Sequence, residues 1–363
     1  MKTRLLGLAF ALMAVCALAT TAAACTGIRI KANDGSIVYA RTMEFGGDMQ
    51  SNILVVPRAK QFTGTTADAK SGLHWTTKYG VVGTNGFNMP VIVDGVNEKG
   101  LGAGSFYFPG YAKYQTINTT NSNKAICPWE VPLYLLSTCA NVAEAVAAAH
   151  DIYVGEVPQA DIGMLPAYHY ILHDAAGNCA VLEYVNGELT VHNDPLGVIT
   201  NSPTFDWHLT NLGNYVNLTV NNVPPVDLSG TNFVGFGQGT GMLGLPGDFT
   251  PPSRFVRAVA FTQASFPVET AQEGVWQAFH LLNQFDIPRG STRGTQNGKD
   301  VTDYTQWTTA ADLANHCYYF HTFDNRTVRK VDLNKVNFDA KDITTISMGG
   351  KEIVEDLSNQ ANY

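Results

Sequence analysis

The sequence predicts an α+β fold in which sheets are layered against helices, on three observations. The first third reads as short strands bounded by turn residues. Two helical stretches come later, with further strands between and after them. Nowhere do strand and helix alternate as a parallel βαβ sheet requires.

Taken in order, Ile28-Arg29-Ile30-Lys31 and Ile37-Val38-Tyr39-Ala40 flank Asn33-Asp34-Gly35. An Asp-Gly step between two apolar-alternating runs marks a hairpin. Ile53–Pro57, Trp75–Val82 and Pro90–Asp94 are expected as further strands, and Glu130–His150 as helix. Strands resume at Tyr168–His173, Ala180–Val185 and Gly197–Asn201, with turns at Ala176-Gly177-Asn178 and Asn186-Gly187. From Asn201 to Arg254 runs a Gly/Asn/Pro-rich excursion, too long for an ordinary connection and so expected to serve function or assembly. Ser253–Gln263 and Val268–Phe285 read as helices, the second with Val275, Phe279, Leu282 and Phe285 near one face. Tyr304–Thr309 and Cys317–Phe323 close the set as strands.

Met1–Ala24 has the form of an export signal: Lys2 and Arg4, an apolar run from Leu5 to Ala19, then Ala22-Ala23-Ala24. Cleavage after Ala24 would make Cys25 the first residue, with a nucleophilic thiol and a free α-amine on one residue. An α-amine has an unperturbed pKa of roughly 7.7–8.0, so it can accept a proton near neutrality. The same junction also fits a cleavage site ahead of a buried structural cysteine. It fits a lipoprotein signal less well, because Ala22 stands where that signal wants a larger aliphatic residue.

Composition excludes several classes. The 363 residues are 45% hydrophobic and 15% charged, an ordinary globular balance. A net charge of −8 without a basic cluster argues against nucleic acid and anionic membrane surfaces. No stretch after the leader reaches the ~18–20 apolar residues of a membrane span, so no stable membrane insertion is expected. Cys127, Cys139, Cys179 and Cys317 show no metal-ligand spacing and are expected as buried thiols or at most one bridge. His169, His173, His192, His208 and His316 fall in expected strand or turn contexts and are read as structural.

Several fragments belong together. They begin with Cys25-Thr26-Gly27-Ile28-Arg29 and Tyr39-Ala40-Arg41-Thr42-Met43-Glu44-Phe45. Asp94-Gly95-Val96-Asn97-Glu98-Lys99-Gly100-Leu101 and Thr200-Asn201-Ser202-Pro203 follow. Phe236-Gly237-Gln238-Gly239, Leu243–Thr250, Ser253-Arg254-Phe255-Val256-Arg257 and Asp303–Thr308 complete the series. In this order they resemble the choloylglycine hydrolases, the family of bile salt hydrolases and penicillin V acylases, from Cys25 to about Lys335.

The resemblance implies a four-layer αββα N-terminal-nucleophile fold, with one amidase domain over 25–363 behind the 1–24 leader. It implies hydrolysis of a small acyl amide through a thioester, with no cofactor or metal. The leader implies an exported protein, periplasmic or extracellular, and the resemblance implies a homotetramer assembled through the excursion before Arg254. Cys25 is the implied nucleophile. Arg41 is the implied active-site cation, and a guanidinium beside a thiol favours the thiolate. Glu44 stands where the family usually has aspartate to orient the α-amine. The side-chain amide of Asn201 and the backbone N–H of Tyr107 are the implied oxyanion donors. Arg254 lies near the nucleophile and the departing group. Tyr107 and the Phe236–Thr250 segment are similar to the acylase branch, whereas Phe108-Pro109-Gly110-Tyr111 is similar to the bile-salt branch; the expectation is a penicillin V acylase, with a conjugated bile salt hydrolase or a non-catalytic binding protein of the same fold as the alternatives.

Overall fold

The computed structural model describes residues 24–68, 72–159, 165–296, 299–358 and 360. The expected leader, apart from Ala24, therefore lies outside the described residues. Two antiparallel sheets carry the fold. The first comprises β1 (Cys25–Lys31), β2 (Ile37–Phe45), β10 (Tyr304–Asp312), β11 (Cys317–Thr322) and β12 (Asn325–Asp332), in that spatial order. The second comprises β3 (Asn52–Val56), β4 (Val81–Thr84), β5 (Asp94–Asn97), β6 (Leu101–Tyr107), β7 (Tyr168–Asp174), β8 (Cys179–Val185), β9 (Glu188–Asn193) and β13 (Thr344–Ser347). Its spatial order is β9-β8-β7-β6-β5-β4-β3-β13.

Helices cover the outer faces. α1 (Val131–Thr138) and α2 (Val142–Asp151) pack on the eight-stranded sheet, α1 against β5 and β6, α2 against β7 and β8. α4 (Pro251–Ala264) and α5 (Ala271–Leu282) pack on the five-stranded sheet, while α3 (Phe205–Leu212) contacts α4. The layers are helix, sheet, sheet, helix, the expected αββα arrangement. One apolar core joins the two sheets and the α4/α5 layer, with Ile28, Val38, Phe106, Ile171, Phe255 and Trp307 at its centre. The other lies under α1 and α2. Among the described residues, no helix is long and apolar enough to cross a membrane.

The expected hairpin is present: Asp34 accepts the Ser36 backbone N–H at 2.8 Å and Gly35 takes φ +89°, a left-handed value that glycine adopts at little cost. Several elements differ from expectation. The single strand expected at 75–82 is two, His74–Thr76 and β4, because the chain between them pairs instead with Ser137 and Pro57. The strand expected at Pro90–Asp94 begins only at Asp94; β6, which follows it, is glycine-rich and lacks β-propensity. The helix expected over 130–150 breaks into α1 and α2. Asn141 caps α2 by accepting the Glu144 backbone N–H at 2.9 Å, which forces an extended residue between the helices. Gly197–Asn201 pairs only through the isolated bridge Gly27↔Ile199. His208 sits in α3 rather than in a strand or turn. The five described cysteines are all free and buried.

Candidate active site

The hairpin places the first group of site residues. Cys25 lies opposite Met43 and Gly27 opposite Arg41. Side chains alternate along a strand, so Tyr39, Arg41 and Met43 share one face of β2, toward the second sheet. Cys25 is 1% exposed, and its Sγ lies 3.8 Å from the Met43 Sδ. Gly27 is required here, because a Cβ would meet Ile199 and the Phe106 ring, both at 2.8 Å.

Arg41 is buried without a carboxylate at salt-bridge distance among the described residues. Its Nη1 donates to the Ser105 carbonyl at 2.6 Å and its Nε to the Thr42 carbonyl at 3.2 Å. The guanidinium lies 4.0 Å from the Phe106 ring centroid, a cation–π contact in a desolvated site. Burial pushes the Cys25 thiol up, and Arg41 is the strongest influence pulling it back toward the thiolate. Beyond Arg41, Asp94 accepts from Tyr39 Oη at 2.7 Å, Tyr318 Oη at 2.6 Å and Thr309 Oγ1 at 2.9 Å. This buried junction ties the two sheets together behind the nucleophile.

The second group converges from distant parts of the chain. Asn201 Oδ1 accepts the Cys25 backbone N–H at 2.8 Å and Arg254 Nη2 at 2.6 Å. Asn201 Nδ2 donates one proton to the Tyr107 carbonyl at 2.7 Å. A carboxamide nitrogen carries two protons, so one remains for a ligand oxygen. Arg254 also donates Nη1 to the Cys25 carbonyl and, at 2.9 Å, to Thr26 Oγ1; its Nε donates to the Phe249 carbonyl at 2.8 Å. Burial lowers Arg254 to about 10, opposed by Glu44 and Cys25.

Glu44 sits beside the Ala24–Cys25 junction. The alternation of β2 sets it on the face opposite Arg41, paired with Thr305, whose Oγ1 donates to Oε1 at 2.8 Å. Oε2 is buried without a partner. Burial raises the carboxyl to about 7 against the pull of Arg254. With the Ala24–Cys25 bond intact, Glu44 meets the junction through its backbone: its N–H donates to the Ala24 carbonyl at 3.0 Å. Tyr107, at the end of β6, likewise meets Asn201 through its carbonyl.

Cys25, Arg41, Asn201 and Arg254 therefore form one connected, buried cluster, with Glu44 and Tyr107 at its edges. Thiol, cation and unused amide proton together suit attack on a carbonyl carbon and support of the developing oxyanion. The sequence assigned no role to Asp94, Met43 or Ser105, because each enters through a cross-strand or cross-sheet contact.

Comparison with known proteins gives the family. The chain matches the linear amide C–N hydrolases, choloylglycine hydrolase family, over residues 25–346. It is 34% identical over 323 residues to a bile salt hydrolase/transferase of Clostridium perfringens, covering 88% of this chain and 96% of that one. It is 27% identical over 320 residues to a penicillin V acylase of Pectobacterium atrosepticum, covering 83% and 78%. Among solved structures, a mutant conjugated bile acid hydrolase from Clostridium perfringens superimposes with a TM-score of 0.82 at 32% identity, covering 92% of this chain and all of that one. Its nearness extends from fold to sequence, and the chain belongs to the choloylglycine hydrolase family, cysteine-dependent N-terminal-nucleophile hydrolases of linear amide C–N bonds.

Proposed function

We propose that the chain is an exported amidase that hydrolyses conjugated bile salts. The observation that carries the substrate class is the 34% identity to the bile salt hydrolase/transferase, against 27% to the penicillin V acylase. It outweighs the acylase preference drawn from Tyr107 and the Phe236–Thr250 segment, which keeps penicillin V as the second reading.

In the proposed cycle, cleavage after Ala24 frees the Cys25 α-amine. Sγ attacks the amide carbonyl carbon, and the thiol proton passes to that amine. The Asn201 amide and the Tyr107 N–H support the oxyanion. The amine then protonates the leaving nitrogen as the C–N bond breaks, leaving a thioester. Water attacks the thioester, gives its proton to the amine, and the thiolate departs as the acid is released. Arg41 favours the thiolate, Arg254 holds the Cys25 carbonyl, and the unpartnered Glu44 Oε2 balances the transient ammonium.

Export is supported by the leader pattern of Met1–Ala24. A homotetramer is supported by the excursion before Arg254, where Val220, Leu228, Phe233, Phe236 and Leu243 stand exposed. A monomer in light scattering at micromolar concentration would remove that part.

The test is product release from glycocholate, taurocholate and penicillin V by one preparation whose N-terminus is verified by mass spectrometry. The expected result is a higher kcat/KM on a bile conjugate and a loss of ~10⁶-fold in Cys25→Ala. Preference for penicillin V would overturn the substrate class and leave the Cys25 chemistry standing. Full activity in Cys25→Ala would overturn the chemistry itself.

A further inference from the structure

Asn201 lies on the connection after β9, outside both sheets, yet an oxyanion donor must be held to within about 0.5 Å. Its neighbour Ile199 exchanges both backbone hydrogen bonds with Gly27, at 2.8 and 3.1 Å, which fixes the approach to the nucleophile strand. The next two carbonyls are held by histidines. His169 Nε2 lies 3.1 Å from the Thr200 carbonyl oxygen, and His208 Nε2 lies 2.9 Å from the Asn201 carbonyl oxygen. Both rings are 1% exposed.

A carbonyl oxygen only accepts, so each of these ring nitrogens carries a proton. The two rings differ beyond that. His208 Nδ1 is buried without a partner, and burial lowers the ring to about 4, so it is neutral with its single proton on Nε2. His169 Nδ1 faces Glu183 Oε1 at 3.1 Å. Burial opposes ionisation of Glu183, but hydrogen bonds from His169 and His192 hold it at about 2, so it too only accepts. Both nitrogens of His169 thus face acceptor atoms. The ring stacks on Phe108 at 4.3 Å, with 3° between the rings. Glu183 also accepts the Phe205 N–H at 2.9 Å and meets His192 Nε2 at 3.3 Å, so β8, β9 and the start of α3 share its charge.

We propose that His169, anchored by Glu183, and His208 are positioning residues that aim the Asn201 carboxamide at the reacting carbonyl oxygen. This rests on the oxyanion role proposed for Asn201 above. Neither histidine exchanges a proton with substrate; each fixes the backbone from which the donor projects.

The test is a double-mutant cycle together with nitrogen-detected NMR of the histidine rings. His208→Phe keeps ring volume and removes the donor. It should lower kcat about 10- to 100-fold with little change in KM. His208→Gln restores an N–H and should recover most of the loss. Asn201→Ala combined with His208→Phe should be no slower than Asn201→Ala alone; additive losses would overturn the positioning role. NMR should find a proton on Nε2 of both rings. A bare Nε2 on either ring would overturn its hold on the backbone carbonyl, and this arm holds even if His208→Phe does not fold. Full kcat in Asn201→Ala would instead sink the oxyanion reading, and the positioning role with it.

Discussion

The carboxamide oxygen of Asn201 accepts the backbone N–H of Cys25 at 2.8 Å across 176 residues of sequence. The same oxygen accepts Arg254 Nη2 at 2.6 Å, so one acceptor joins the nucleophile residue to α4. Under the proposed cleavage after Ala24, the nitrogen that would become the α-amine is therefore already oriented while the Ala24–Cys25 bond is intact.

Arg254 holds four acceptors from a fully buried position: the Cys25 and Phe249 carbonyls, Thr26 Oγ1 and Asn201 Oδ1. Arg254→Met removes this donor from all four, leaving Asn201 Oδ1 only the Cys25 N–H, and takes from Glu44 the charge that most lowers its carboxyl. Loss of about 3 kcal/mol in urea unfolding is expected, because unpaired buried polar groups carry their full desolvation cost. Amidase activity should fall with it. Unchanged stability would show that water replaces the guanidinium.

Glu44 sets a pH dependence whose sign is opposite to that of most carboxylates. Its folded pKa of about 7 lies above the ordinary 4.5, because burial disfavours the charge. Between those values the folded state binds more protons than the unfolded state, so stability falls as pH rises through the window. The contribution is on the order of 3 kcal/mol once the window is crossed. Glu44→Gln should therefore gain in Tm relative to the parent chain from pH 5 to pH 8. A constant difference would place the titration elsewhere.

Arg41 is the largest influence lowering the Cys25 thiol. Arg41→Met retains bulk against Phe106 and removes the charge. In protein with a free N-terminal Cys25, the rate of alkylation by iodoacetamide should then rise at a higher pH than in the parent. An unmoved profile would mean that Arg41 does not tune the thiol.

Gly104 lies against the Asp94 junction. A Cβ there would collide with Tyr39 Oη and press on Asp94 Oδ1 at 2.9 Å. Gly104→Ala should cost about 2 kcal/mol in chemical denaturation, the usual range for overpacking a core. No loss would show that the junction between the sheets can shift.

The sequence alone was enough to predict the β1–β2 hairpin, because Asp34-Gly35 is a local signal and local turn chemistry decides it. The resemblance carried by short ordered fragments was enough for the αββα layers and for the cluster of Cys25, Arg41, Asn201 and Arg254. It missed the glycine-rich β6, which forms only because β5 and β7 pair with it, and it ran α1 and α2 together across the Asn141 cap.

Which atom of each site residue does the work was decided by tertiary structure. Glu44 turns its carboxyl to Thr305 because strand alternation points it away from Arg41, and Asn201 receives the Cys25 N–H because the connection after β9 crosses the nucleophile strand. Residue types and their order come from the chain, but the contacts between Cys25 and Arg254 or between His208 and Asn201 depend on chain crossings that no local propensity encodes. The protonation states of the buried groups follow from those crossings, since burial and partner choice, not residue type, set them.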